Sequence, residues 1–169
     1  MRLIWYSVAM SLDGFIAGPN GEYDWIPEEP TIDWGAFTSR FDTLLMGRRT
    51  YEVALAGPEM PGMRSVVVSR TLKAADHPKV TIVSDNVTEA VEELRRAPGK
   101  DIWLFGGGEL FRNLLQAGLV DRVEVGMAPV LLGRGIPLLP DPGLITKLKL
   151  MKSEPYPNGI IMLTYEILR

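Results

Sequence analysis

The chemistry this chain could carry gathers where short apolar runs end in glycine, hydroxyl and basic residues. Asp101 to Leu115 reads Asp-Ile-Trp-Leu-Phe-Gly-Gly-Gly-Glu-Leu-Phe-Arg-Asn-Leu-Leu. Gly106, Gly107 and Gly108 carry no Cβ, so they tolerate positive φ and let the backbone approach a ligand closely. A helix starting directly behind them offers unpaired N–H groups and a partial positive charge, both favourable to phosphate. Two readings of this turn stand: an anion site, or a tight turn with no ligand. Met46-Gly47-Arg48-Arg49-Thr50 and Val68-Ser69-Arg70-Thr71 repeat the pattern with side-chain donors. Arginine's planar fork suits a phosphate monoester better than a ribose diol. Taken singly, each arginine reads as a solvated surface residue. Taken together, the three junctions suit a ligand with several phosphates, such as NADPH.

Strands must end at these junctions. Ile102 to Phe105 is a short apolar run that predicts a buried strand, followed by a helix with Leu110, Phe111, Leu114 and Leu115 at helical spacing. Leu3 to Met10, Thr43 to Met46, Ser65 to Ser69 and Val80 to Val83 read as further strands. Thr31 is a plausible N-cap for a short helix from Ile32 to Phe41, and Arg48 to Ala56 reads as another helix. Thr88 opens a helix through Arg96, with Ala90, Val91 and Leu94 facing inward. Asp121 to Val130 alternates Val123, Val125 and Met127 with Arg122, Glu124 and Gly126, as a strand does. Leu131 to Pro137 reads as a glycine-rich loop. Lys147 to Lys152 and Ile160 to Leu168 make a final pair of strands, with Asn158-Gly159 placed as a hairpin turn. Repeated strand–helix–strand units predict a parallel core with an antiparallel C-terminal hairpin. In such a sheet, ligands bind beyond the carboxyl ends of the strands, so the three junctions would line one crevice.

Composition narrows the function classes. The chain has 169 residues, 46% of them hydrophobic, with a formal net charge of −3. That length predicts one domain over residues 1–169. No Lys/Arg run stands out, so nucleic-acid binding has no support. There is no cysteine and a single histidine, His77, which reads as a solvated loop residue. Disulfides and thiolate chemistry are thereby excluded, and neither a metal site nor a Ser-His-Asp triad is expected. No apolar run approaches the roughly 18 residues of a membrane span, and the first residues do not form a signal peptide. A soluble, cytoplasmic protein is expected. There is neither a G-x-x-x-x-G-K-[ST] loop nor a G-x-G-x-x-G after a strand, so standard P-loop and dinucleotide folds do not apply.

The residues do match another pattern. Ser11-Leu12-Asp13-Gly14-Phe15-Ile16-Ala17, Met46-Gly47-Arg48-Arg49-Thr50-Tyr51-Glu52, Val67-Val68-Ser69-Arg70 and Phe105-Gly106-Gly107-Gly108-Glu109-Leu110 occur in this order and spacing. Together they resemble the dihydrofolate reductase-like superfamily. The later Ala128-Pro129-Val130-Leu131-Leu132-Gly133-Arg134-Gly135-Ile136-Pro137 makes the chain most similar to the reductase domain of the bifunctional riboflavin-biosynthesis deaminase-reductase and its stand-alone relatives. The resemblance implies a three-layer α/β fold with a mostly parallel sheet and helices on both faces. It also implies NADPH as cofactor and a homodimer. By it, Gly107, Gly108, Glu109 and Leu110 hold the pyrophosphate behind Gly106. Arg48, Ser69 and Arg70 hold the adenosine 2′-phosphate, with Gly47, Arg49 and Thr50 at the phosphates. Ala9 and Ile16 line the nicotinamide and its ribose. The zinc deaminase half of the bifunctional enzyme has no counterpart here, because its cysteine ligands are missing.

On the substrate side, the resemblance implies a heterocycle: a phosphoribosylamino-pyrimidine, or alternatively a pteridine. A third possibility is an NADPH-binding protein without efficient turnover. Reduction of a C=N bond needs a proton source. Asp33 and Asp13 are the two acids expected near the site. Each also has a structural reading, Asp33 as a first-turn dipole partner and Asp13 as an Asx-turn residue before Gly14. Trp25, Trp34 and Phe37 could stack on a flat ring or simply pack in the core. Arg40 is the nearest basic residue for a substrate phosphate or a folate tail.

Overall fold

The computed structural model describes residues 1–141, 143 and 145–169. Strand β1 (Ile4–Ser11) is followed by a short β2 (Phe15–Ala17), helix α1 (Trp34–Thr38), strand β3 (Phe41–Gly47) and helix α2 (Arg48–Ala54). Then come β4 (Arg64–Val68), β5 (Val80–Val83), α3 (Val87–Arg96), β6 (Asp101–Gly106) and α4 (Gly108–Gln116). The chain finishes with β7 (Arg122–Ala128), β8 (Ile136–Pro137), β9 (Leu148–Pro155) and β10 (Ile161–Ile167).

Eight strands form one sheet in the order β5-β4-β3-β6-β1-β7-β10-β9. From β5 to β7 all neighbours are parallel; β10 runs antiparallel to both β7 and β9. Alternation along each strand supplies two apolar faces. On one face Ile4, Tyr6, Leu45, Leu104 and Val125 pack with Val91 of α3 and Phe111 and Leu114 of α4. The Tyr6 and Phe111 rings stack with centroids 3.9 Å apart. On the other face Leu44, Met46, Val67 and Trp103 pack with Tyr51 of α2 and Phe37 of α1. Helices therefore cover both faces of a mixed, mostly parallel sheet, as the sequence predicts.

Some local expectations change. The first helix starts later and ends earlier than its periodicity predicts. Asp33, not Thr31, is the N-cap, its Oδ1 accepting from the Ala36 N–H at 2.8 Å. Phe41 is not on that helix but opens β3, opposite Asp101. There it is buried beside the rings of Trp5, Phe37 and Trp103, a larger apolar burial than one more helical turn on an exposed element offers. The glycine-rich stretch after β7 contains β8, which pairs with β2 as a separate two-stranded sheet. His77 is half-buried, with Nδ1 3.1 Å from the Tyr51 hydroxyl. Among the described residues, no helix is long and apolar enough to cross a membrane.

Candidate active site

Because β4, β3 and β6 are neighbours, their carboxyl ends lie side by side. Gly47 precedes α2 directly, and Gly107 caps α4. Thr50 joins the two junctions: a Cβ built on Gly106 would sit 3.2 Å from its Oγ1, and one on Gly107 3.5 Å away. Gly106 has φ +144°, a backbone that L side chains rarely adopt. At Gly108 a Cβ would meet the Pro137 carbonyl oxygen at 2.8 Å and Pro140 Cδ at 2.9 Å, so the loop beyond β8 seats directly on the start of α4. Gly47, by contrast, faces open space. Within α4 the first bond back runs from the Phe111 N–H to the Gly107 carbonyl at 3.0 Å. The N–H groups of Gly108, Glu109 and Leu110 thus have no partner in the helix. The Leu110 side chain is in the core and the Glu109 carboxylate is exposed, so both could serve an anion only through the backbone.

The basic residues are disposed unequally. Arg48 is exposed and paired with Glu52 at 2.9 Å. Arg49 and Arg70 are exposed and have no side-chain partner among the described residues. Ser69 is buried, and its hydroxyl accepts from the N–H groups of Thr71 (3.2 Å) and Leu72 (3.1 Å). It shapes the turn that carries Arg70, and the formal charge there is Arg70's.

On the α1 side of the sheet lies a cavity of 530 Å³. Ser7 and Ala9 of β1, Trp103 of β6, and Glu124 and Gly126 of β7 form its floor, with Met162 of β10 beside them. Trp34, Phe37 and the Ile26–Ile32 segment form its wall. The absent side chain at Gly126 leaves Met162 as its nearest neighbour, at 3.6 Å from a built Cβ. The indole N–H of Trp103 donates to the Ser7 carbonyl at 2.8 Å, which fixes the ring against the floor.

Glu124 is the buried polar centre of this floor, 6% exposed. Its Oε1 accepts from the Ser7 hydroxyl (3.2 Å) and Arg40 Nη2 (2.8 Å), and its Oε2 from Arg40 Nη1 (3.3 Å) and the Thr164 hydroxyl (3.0 Å). Arg40 in turn lies over the rings of Trp5, Phe37 and Phe41 at 4.8, 4.5 and 4.9 Å. A second buried carboxylate, Glu29, holds the wall. It accepts from the Thr31 hydroxyl (2.5 Å) and N–H (3.0 Å) and from the Asn158 N–H (3.2 Å), which ties the wall to the β9–β10 turn. The Thr31 hydroxyl, then these N–H groups, keep Glu29 ionised below the usual carboxylate range.

The two expected acids sit elsewhere. Asp33 is an exposed helix cap beside the cavity wall and does not line the cavity. Asp13 accepts from the Ser11 hydroxyl at 2.6 Å and from the N–H groups of Leu132 (3.1 Å) and Gly133 (2.7 Å). The Ser11 hydroxyl above all holds its carboxyl below the ordinary range, so Asp13 is an acceptor that pins the loop after β7. Ala9 lies in the cavity, whereas Ile16 is on β2 outside its lining. Trp34 and Phe37 line the cavity; the Trp25 indole donates to the Glu22 carbonyl at 2.9 Å in its own loop. Arg40 belongs to Glu124. Sequence reasoning did not single out Ser7, Trp103, Glu124 or Met162 as site residues. In the sequence Glu124 alternates with Val123 and Val125 on the same side as Arg122 and Gly126, so nothing local set it apart from a solvated strand residue.

A protein-family description, the RibD C-terminal domain, matches residues 2–162. The uncharacterized protein YyaP of Bacillus subtilis is 33% identical over 180 residues, covering 97% of this chain and 94% of YyaP. A solved structure from Shewanella sp. PV-4, whose name places it in riboflavin biosynthesis, is 28% identical and superposes with a TM-score of 0.85 over 100% of both chains. Dihydrofolate reductase from Enterococcus faecalis, solved with NADP(H), superposes with a TM-score of 0.69 at 19% identity, covering 99% of this chain and 97% of that one. The fold is thus the dihydrofolate reductase-like one.

Proposed function

Because the chain belongs to the RibD C-terminal domain family, we propose that it is an NADPH-dependent reductase acting on a planar nitrogen heterocycle held in the cavity. The observation that carries this reading is the common framework of the two halves of the site. Trp103, in the cavity floor, and Gly106, at the glycine turn, are on the same strand β6. They are three positions apart, about 10 Å along the strand, short enough for one dinucleotide to serve both places.

The residues at the junctions fit such a cofactor. Gly47 leaves open space for an approaching group. The free N–H groups at the start of α4 suit a pyrophosphate. Arg49 and Arg70, without a side-chain partner among the described residues, supply cations for a 2′-phosphate, which NADH lacks. When bound, NADPH supplies the hydride. The chain's own part is to hold the acceptor ring flat between Trp34 and the floor and to limit water there. Neither Asp13 nor Asp33 lines the cavity, so neither is placed to protonate the reduced nitrogen.

Thermal stabilisation by NADPH, with a weaker effect of NADH, tests the cofactor. Loss of NADPH absorbance with a ribosylamino-pyrimidine or a pteridine tests the reaction. Stabilisation by NADPH with neither compound reduced would turn the reading toward a binding protein without turnover.

A further inference from the structure

We infer that the cavity is built for a neutral or cationic heterocycle that donates N–H groups and carries no phosphate, an inference that rests on the reductase reading of the same site. The hydrogen-bonding inventory points this way. Trp103 donates to the Ser7 carbonyl, and the Ser7 and Thr164 hydroxyls donate to Glu124. Arg40 donates to Glu124 and, through Nε, to the Phe37 carbonyl at 3.2 Å. Among the described residues, the side-chain donors that line the cavity are engaged in this way, apart from the exposed indole of Trp34, and the N–H groups that Arg40 keeps beyond Glu124 and Phe37 lie outside the cavity lining. What remains toward the cavity is acceptor capacity: the lone pairs of Ser7 Oγ and the carboxylates at its wall. A ligand there gains by donating.

The charges point the same way. Glu28, Glu29 and Glu124 line the cavity, and among the described residues no lysine or arginine does. Arg40 only balances Glu124. The next cation along the same sheet row, Lys152, lies opposite Thr164 and is engaged by Glu154 at 2.6 Å. A phosphate brings a charge of roughly −1.5 to −2 to this surface with no partner waiting for it. At the other end of the site, Arg49 and Arg70 have no side-chain partner among the described residues. Free cations thus mark the cofactor end and are missing from the substrate end.

A matched pair of compounds tests this: 5-amino-6-ribosylaminouracil and its 5′-phosphate, titrated into the NADP⁺-loaded full-length protein. Binding is read by quenching of tryptophan fluorescence, since Trp34 and Trp103 line the cavity. The dephosphorylated compound is expected to bind at least about tenfold more tightly, and the gap to narrow as salt screens the repulsion. Glu28→Lys, a change at an exposed rim position, is expected to narrow the gap severalfold. Equal or tighter binding of the phosphate overturns the inference, and so does a gap indifferent to both salt and Glu28→Lys. Binding of neither compound also overturns it. A separate NADP⁺ titration by thermal shift distinguishes these failures from failure of the reductase reading, which falls if NADP⁺ does not bind.

Discussion

Replacing Arg40 with methionine isolates the pair that floors the cavity. Methionine keeps an apolar stem against the rings of Trp5, Phe37 and Phe41 and removes the charge. Glu124, 6% exposed, would keep only the Ser7 and Thr164 hydroxyls, at 3.2 and 3.0 Å. Removing one partner of a buried ion pair costs roughly 3–5 kcal/mol. The Arg40 side chain is 32% exposed, so water reaches the vacated place and the low end, about 3 kcal/mol, applies. For a chain of this length, each kcal/mol lowers Tm by about 2–4 °C, which predicts a fall of about 6–12 °C. Urea unfolding at neutral pH should show a lower midpoint with an unchanged slope. Adding Glu124→Gln should restore at least half of the loss, because the orphaned charge is then gone and the two changes are strongly coupled. A loss under about 1 kcal/mol, or simple additivity in the double variant, would refute this account. Arg40 would then be a solvated cation, free for a substrate phosphate.

At the cofactor end, Arg49→Ala and Arg70→Ala should each weaken NADPH binding about tenfold to a hundredfold and leave NADH unchanged, as calorimetric titration would show. Gly108→Ala places a methyl 2.8 Å from the Pro137 carbonyl oxygen. It should cost about 1–3 kcal/mol by thermal melting and weaken NADPH. Asp33→Asn should keep turnover near wild type, whereas Asp33→Ala should cost about 1 kcal/mol of stability by loss of the cap; lost turnover in the asparagine variant would restore Asp33 as proton source. Burial pushes the Asp42 carboxyl up, but the Thr43 hydroxyl, the Lys100 N–H, Arg2 and Arg64 outweigh it and hold the carboxyl below its ordinary value. Its contribution is therefore present above the unfolded value of about 3.9 and is lost as pH falls through and below it. Asp42→Asn should flatten the stability profile below about pH 4 in acid unfolding curves; an unchanged slope would contradict the assignment.

The three junctions were legible because each is local. A run such as Ile102 to Phe105, then Gly106 to Gly108, then Leu110, Phe111 and Leu114 carries its own strand, turn and helix period. The same locality gave way at Phe41, whose place in β3 is decided by distant Trp5 and Trp103, and at Thr31, where the Asp33 cap took over the start of α1. Ser69 was legible as a residue of the junction, while its engagement with Thr71 and Leu72 rested on a turn that the sequence does not spell out.

From the sequence alone followed the parallel α/β order, the lack of cysteine chemistry and the gathering of glycine and arginine at strand ends, since these depend on residues within one turn or strand of each other. The cavity was decided only by the tertiary structure. Ser7, Phe37, Trp103, Glu124 and Met162 come from five elements; sheet pairing brings the four strand residues to one face, and the packing of α1 on Phe41 and Trp103 adds Phe37. Whether Arg40 serves a substrate or Glu124 was decided there too, because a buried carboxylate 84 positions away takes the guanidinium.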